Sequence, residues 1–292
     1  MNISIVIPMY NKQNSIINTV NSVLNQKYKY DFEIVIVDDG STDDSIQELK
    51  KIDNPKVKII KKTNGGESDA RNIGILNSKY EYVAFLDADD VWTNDFLETI
   101  YSLKKLYSDA EVLCTKYIRK NKKIEIPPKH DLWKIKHGYI NNYFKEINNT
   151  LGDMILTSSS TCIAKSAISK IGLFSYSDKL GADQDYWFRI FKNNIKAVYS
   201  NKVCAIYYLD GDNRACNNFK RFNNLNFIKR NYSKHNSLEE NRYLANARIG
   251  AINDLFDGKQ KTLATLTLIK EANLLIKATP KRLITSILKI IK

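Results

Sequence analysis

Four apolar runs rich in β-branched residues punctuate the first ninety positions: Ile3–Ile7, Glu33–Val37, Val57–Ile60 and Tyr82–Leu86. Near-continuous apolar runs of this kind suit strands buried on both faces of a parallel sheet. Between them the apolar period becomes helical. Over 15–26, Ile16, Val20, Val23 and Leu24 share a face, with Asn14 or Ser15 as the cap. Residues 43–51 begin with Asp43 and Asp44, which suit a helix N-terminus, and 67–78 carry Ala70, Ile73 and Leu76 at helical spacing. The alternation βαβαβαβ predicts an α/β fold with a doubly wound, mostly parallel sheet. A helix over about 94–107 and a strand over about 111–118 extend it.

From 119 to 154 the period is lost. KNKKIEIPPKH, with Pro127 and Pro128, predicts a loop or an irregular insertion. Order returns at Thr157–Ala164, followed by a helix over about 183–193 and strands around 197–208. From about 217 the chain reads as helical. The break near 215–220 divides an α/β unit, 1–215, from a C-terminal helical region, 216–292; the unit itself splits into halves 1–118 and 119–215.

Composition is that of a globular protein, 43% hydrophobic and 26% charged over 292 residues. Charge changes the picture more. Residues 1–100 hold 11 Lys and Arg against 16 Asp and Glu, whereas 101–292 hold 34 against 16. A basic half suits nucleic acid, an anionic membrane surface or a phosphate-bearing substrate, or is only a Lys-rich solvated surface. Without zinc-finger spacing, an RNP-like motif or an Arg-rich arm, nucleic acid is the weakest of these. Cys114, Cys162, Cys204 and Cys216 are too scattered for a zinc site or disulfide scaffold, which predicts buried reduced thiols. The N-terminal apolar run lacks the basic flank and length of a signal peptide, and no run of about 18 apolar residues occurs, so a cytoplasmic protein is expected. In 281–292, Leu283, Ile284, Ile287, Leu288 and Ile291 form a stripe among Lys281, Arg282, Lys289 and Lys292. Such a helix lies in an anionic membrane interface, or else packs on the α/β unit or on a second subunit.

Ligands in open α/β sheets bind beyond the carboxyl ends of the strands. Here those ends carry PMYNK (8–12), DDGSTDDS (38–45), NGGESDARNIG (64–74) and DADD (87–90). The first turn, Pro8-Met9-Tyr10-Asn11, has no glycine, which argues against a dinucleotide fold; no P-loop signature exists either. Clustered carboxylates repel unless a cation or donors offset them, and hard oxygen ligands suit Mg²⁺ or Mn²⁺ bridged to phosphates. The plainer reading of Asp90 is helix capping. Tyr10 also reads as an ordinary half-buried tyrosine, Arg71 as a surface helix charge, Gly65 and Gly66 as turn residues, and Asp38 as a residue that orients the loop of Asp39.

The combination IPMYN, VDDGSTDDS, GGESDARNIGI and FLDADD resembles the family 2 glycosyltransferases, densely over 3–93 and again around 155–210. The resemblance implies a Rossmann-like GT-A fold and a nucleotide-sugar-binding site formed by Pro8, Tyr10, Asp39, Arg71 and Asp87. Tyr10 and Asp39 would hold the base, Arg71 would lie near the diphosphate, Asp87 would reach the ribose, and Asp89 would bind the metal, Mn²⁺ or Mg²⁺. LGADQDYWFRIF (180–191) is similar to the family's acceptor-helix motif through Asp183, Asp185, Trp187 and Arg189, with Ala182 where glutamate is frequent. That places Asp183 as the catalytic base. Asp185, two residues on, points about 200° away on a helix and is expected to be structural, and Trp187 reads as core. The plainer alternative is that Asp183 only caps its helix. Tyr207-Tyr208 lacks the basic neighbour usual in the family and receives no role.

The resemblance implies an inverting, metal-dependent hexosyl transfer from a UDP-sugar to a hydroxyl of a glycan acceptor. Short bacterial members of this type act on lipid-pyrophosphate-linked acceptors in O-antigen or capsule synthesis, at the cytoplasmic face of the inner membrane. The rival readings are a nucleotide-sugar-binding protein that has lost catalysis, for which Ala182 is the hint, and a basic nucleic-acid binder.

Overall fold

The structure is a computed structural model that describes every residue except 151–152, 179, 212–220, 224 and 292. Cys216 and the expected boundary near 215–220 therefore lie outside the described residues. The four predicted strands form as β1 (Ile3–Met9), β2 (Phe32–Asp38), β3 (Val57–Lys61) and β4 (Tyr82–Phe85), separated by α1 (Ile16–Leu24), α2 (Ser45–Leu49) and α3 (Glu67–Leu76). They pair in parallel in the order β3-β2-β1-β4, with Met9 opposite Asp38. The register brings the ends of β1 and β2 level, so the polar turns that follow open on one side of the sheet.

The expected extension takes a different route. After β5 (Val91–Trp92) and α4 (Phe96–Leu106), strand β6 (Val112–Lys120) does not join β4. The segment 119–154, expected to be a loop or an irregular insertion, contains the short elements β7 (Glu125–Ile126), a 3₁₀ turn over 131–134, β8 (His137–Tyr139) and α5 (Tyr143–Asn149). Then β9 (Thr161–Ala164) slots antiparallel between β4 and β6. All four of its residues are buried, which suits a central position. After α6 (Lys165–Ile171) and α7 (Ala182–Lys192), a single long strand, β10 (Ala197–Tyr208), runs parallel to β6 where more than one strand was expected.

Alternate residues of each central strand point to opposite faces. Ile3, Ile5 and Ile7 of β1 pack with α1 and α4, while Val6 joins α3, α5, α6 and α7 on the other face. Gly74 lets α3 approach β1 closely, since a Cβ there would lie 2.2 Å from Val6 Cγ1. Trp187 is fully buried in this second cluster, as expected of a core residue. Cys114, Cys162 and Cys204 are buried free thiols.

The described residues after 225 form α8 (Asn226–Asn231), α9 (Leu238–Asp257), α10 (Lys261–Lys270), α11 (Ala272–Leu275) and α12 (Pro280–Ile291). Helix α9 starts on a capping box: Ser237 Oγ accepts from Glu240 N while Glu240 Oε2 accepts from Ser237 N. In α12 the predicted stripe is split. Leu283 and Ile290 pack inward and Ser286 is fully buried against Asn253, whereas Ile284, Ile287 and Leu288 are exposed. Among the described residues, no helix is long and apolar enough to cross a membrane.

Candidate active site

A cleft of about 690 Å³ opens beyond the strand ends. Pro8, Tyr10, Asp39, Arg71, Asp87, Asp89 and Asp183, all seven residues singled out in the sequence, line it. The turn after β1 is fixed by Asn11, whose amide oxygen accepts from Thr42 N at 2.7 Å, and by Lys12 N donating to Ser45 Oγ at 2.7 Å. Tyr10 stands at the cleft with 37% of its surface exposed. Asp38 accepts from Ser41 N at 3.0 Å and so orients the loop that presents Asp39.

Asp39 is nearly inaccessible, and its carboxylate accepts from Gly65 N and Gly66 N, both at 2.8 Å, and from Lys62 Nζ at 2.5 Å. Gly65 and Gly66 thus do more than turn the chain: their amides hold an acid from a different strand end. Two of those three bonds fall on Oδ1, so Oδ2 keeps a lone pair for a further donor.

Arg71 is the hub of the site. It is 2% exposed and donates through Nη1 to Asp183 Oδ1 at 2.8 Å, and through Nη2 to Asp87 Oδ1 at 2.7 Å and to Glu67 Oε1. The surface-charge reading is thereby excluded. One guanidinium ties the first aspartate of the D-x-D motif to the acceptor-helix aspartate. Burial alone would lower its basicity, but the three carboxylates override that and push it up. The Glu67 side chain is half open to solvent, yet its carboxyl lies among Arg71, Asp87 and Asp183. Lost hydration raises it to about 7 against the pull of Arg71, with Asp87 and Asp183 adding to the rise.

The other acids of DADD divide the work. Asp89 pairs with Lys12 Nζ at 2.6 Å. Asp90 does not cap a helix; Asp95 occupies that position before α4. Asp90 is fully buried, accepts from Tyr208 N at 3.1 Å and bonds Ser159 Oγ at 2.5 Å, so it ties the loop to the end of β10. Burial, then repulsion from Asp87 and Asp89, pushes its carboxyl well above the usual range. Tyr208, assigned no role from sequence, contributes through its backbone.

As a cation site, the donor set is sparse. Among the described residues, no three His, Cys, Asp or Glu side chains converge as a cage. Of the D-x-D pair, Asp87 is held by Arg71, whereas Asp89 lines the cleft without a bond to it. That fits Mg²⁺ or Mn²⁺ in the mode in which one or two carboxylates bind and substrate phosphates complete the shell. Lys12 lies where such a cation's charge would fall.

Asp183 sits in the first turn of α7 and faces the cleft. Its Oδ2 accepts from Ser158 Oγ at 2.9 Å, and no side-chain capping bond is made at the helix start. Burial, reinforced by Asp87 and opposed by Arg71, raises its pKa above the usual carboxylate range. Asp185 points the other way, as the helical spacing requires. It is fully buried and bonded to Arg189 Nε at 2.8 Å, Arg230 Nη2 at 2.9 Å and Asn231 Nδ2 at 2.8 Å. Gly181 precedes the helix at φ +83°, and a Cβ there would lie 2.9 Å from Phe227. Only glycine satisfies both the left-handed turn and the close packing of α8.

Sequence reading missed Lys12, Glu67, Ser158 and Ser159. Lys12 and Glu67 lie inside the quoted motifs and could have been suspected from charge alone. Ser158 and Ser159 stand in LTSSST with no chemical signal, and only the fold brings them to Asp183 and Asp90.

An open α/β sheet whose strand ends and facing helix enclose such a carboxylate-lined cleft has the form of a nucleotide-sugar-dependent transferase. The sequence model of the family described as Glycosyl transferase family 2 matches residues 4–171. A relative from Escherichia coli, the UDP-Glc:alpha-D-GlcNAc-diphosphoundecaprenol beta-1,3-glucosyltransferase WfaP, is 30% identical over 229 residues, 75% of this chain and 81% of that protein. An uncharacterized glycosyltransferase of Rickettsia conorii is 48% identical over 98 residues, 33% of this chain and 16% of that protein. The chain thus spans about a sixth of the length of that longer relative. The crystal structure of S. aureus TarS 1–349 in complex with UDP-GlcNAc superposes with a TM-score of 0.70 at 19% identity, covering 100% of this chain and 88% of that one. The chain belongs to glycosyltransferase family 2, and its fold is of the GT-A type.

Proposed function

We propose that the chain is an inverting hexosyltransferase that uses a UDP-sugar and a hydroxyl of a glycan acceptor, the acceptor being carried on a lipid pyrophosphate at the cytoplasmic face of the inner membrane. Synthesis of O-antigen- or capsule-type glycans is the setting this chemistry suits. The observation that carries the reading is the meeting of Tyr10, Asp39, Asp87, Asp89 and Asp183 in one cleft. Similarity over most of its length to an E. coli protein named for glucosyl transfer to a diphosphoundecaprenol-linked sugar supports the acceptor class.

Each residue has a task. Pro8 and Tyr10 form the wall on which the uracil stacks, and Asp39 Oδ2 accepts from its N–H. Asp87 takes the ribose. Asp89 would hold Mn²⁺ or Mg²⁺, which when bound neutralises charge on the diphosphate. Arg71, with its donors on three carboxylates, acts next to the diphosphate chiefly by holding Asp87 and Asp183 at a fixed spacing. The acceptor hydroxyl attacks the anomeric carbon from the side of Asp183, which takes its proton. The bond from that carbon to the diphosphate oxygen breaks, its electron pair leaves with UDP, and the configuration inverts.

A donor screen tests this. Purified protein is given UDP-Glc, UDP-Gal, UDP-GlcNAc and UDP-GalNAc with lipid-pyrophosphate-linked sugars, and the product is read by mass and its anomer by NMR. One donor should give a β-linked product. Nucleotide binding with neither transfer nor donor hydrolysis would instead favour the binding-only reading, in which Ala182 marks the loss.

A further inference from the structure

Among the described residues, 17 large apolar or aromatic side chains are exposed, and seven of them fall within 263–288. The other ten are scattered over positions 10–238. The concentration is not a failure to pack. Helix α10 buries Ala264, Thr267 and Leu268 and turns Leu263, Leu266 and Ile269 outward at 44%, 59% and 69% exposure. Helix α12 does the same, with Ser286 buried and Leu283 and Ile290 packed inward. Its outward residues are Ile284, Ile287 and Leu288. Each helix therefore has two apolar faces, one satisfied by α9 and its neighbours and one left to the outside.

The segment that carries these faces is strongly basic, although Lys289 of α12 pairs with Asp257 of α9 at 2.7 Å. Residues 259–292 hold eight Lys and Arg against one acid, Glu271. That acid is held by Arg248, through two bonds of 2.7 Å. Lys259, Lys261, Lys270, Lys277 and Lys281 are all exposed. A protein partner matched to apolar side chains alone would gain nothing from this charge. An anionic phospholipid surface gains from both, because it offers acyl chains beneath a layer of negative headgroups.

We infer that the outward faces of α10 and α12 form a docking surface for an anionic phospholipid bilayer, with Leu263, Leu266, Ile269, Ile284, Ile287 and Leu288 entering the interface and the lysines above meeting the headgroups. The inference goes beyond glycosyl transfer and stands without it. It differs from the single stripe legible in the sequence: Leu283 belongs to the fold, and α10 is a second contact. Removing 281–292 would therefore strip packing from the cluster under α12, so point changes on the outward faces are the cleaner probe.

The test is co-sedimentation of the full chain with phosphatidylcholine vesicles and with mixed phosphatidylcholine–phosphatidylglycerol vesicles. Wild type should sediment only with the anionic vesicles, and less as salt rises. Two triple variants, Ile284→Ser/Ile287→Ser/Leu288→Ser and Leu263→Ser/Leu266→Ser/Ile269→Ser, should each lose roughly tenfold or more in vesicle affinity while melting normally and binding UDP as wild type does. Lys277→Glu/Lys281→Glu leaves every apolar residue in place and should weaken binding to anionic vesicles; it keeps the question answerable if a triple variant misfolds. Wild type that ignores anionic vesicles overturns the inference. So do well-folded variants that sediment as wild type does, or sedimentation velocity showing a dimer that the triple variants break, which would make the faces a subunit contact. Vesicle binding without any UDP binding would count against the transferase reading and leave the surface intact.

Discussion

The two walls of the cleft are built differently. The wall formed by the ends of β1 and β2 is held by backbone and by motifs next to one another in the sheet: Asp39 rests on two amides of the 64–66 turn, and Asn11 and Lys12 reach the loop of Ser41 to Ser45. The facing wall, at the start of α7, is held by side chains from far along the chain. Asp183 is tied to Arg71 across 112 positions, and Asp185 to Arg230 and Asn231 on α8. Asn72 and Phe174, 102 positions apart, exchange two bonds of 2.9 Å that clamp one wall to the other. The first wall is a product of the sheet and should tolerate loss of single side chains. The second is a network, in which removing one member leaves buried charge uncompensated.

The sharpest test of this contrast is on α7 itself. Asp183→Asn keeps the size of the side chain and one bond to Arg71 but cannot take a proton. Transfer should fall on the order of 10²–10⁴-fold with UDP affinity near wild type, and stability should fall less than for Asp185→Asn, because Asp87 and Glu67 still face Arg71. Near-normal transfer from this variant would move the base elsewhere. Across the cleft, Asp89→Ala should cost on the order of 10²-fold in transfer and abolish Mn²⁺ binding measured with UDP present, while leaving the fold unchanged. Full turnover in excess chelator would remove the cation from the account.

Asp185→Asn should reverse the pattern of Asp183→Asn. Arg189 and Arg230 would lose a fully buried counter-charge, and stability should drop by about 2–3 kcal/mol in denaturant titration, with transfer reduced only in proportion to the folded fraction. A folded but inactive Asp185→Asn would mean that the two aspartates have been assigned the wrong way round. The smallest effect is expected at Glu67. With its pKa raised from the usual 4.5 to about 7, the folded chain keeps a proton that the unfolded chain has released between those values. Stability contributed through this group is present below about 4.5 and is lost as pH rises towards 7. Glu67→Gln lacks that loss, so its melting temperature should gain on wild type by on the order of 1–2 °C across the window. A difference that does not change with pH would show that Glu67 is solvated like any surface acid.

Much of the first wall was legible because its signals are local. A buried parallel strand announces itself by an apolar run, its end by a polar turn, and the turns of a doubly wound sheet must open on one side, so Tyr10, Asp39, Asp87 and Asp89 could be placed together from spacing and resemblance. That Asp183 and Asp185 point apart followed from 3.6 residues per turn, and the resemblance to the acceptor-helix motif chose Asp183 as the one that faces the cleft. Tertiary structure decided what periodicity does not encode. It set β9 between β4 and β6, because a strand's neighbours depend on which edge is free when it arrives. It made Arg71 the strut between Asp87 and Asp183, brought Ser158 and Ser159 to two acids, and chose which apolar residues of α12 face inward. An amphipathic pattern fixes that a helix has an apolar side; which neighbour covers it, and whether a second side stays open, depends on surfaces contributed from elsewhere in the chain.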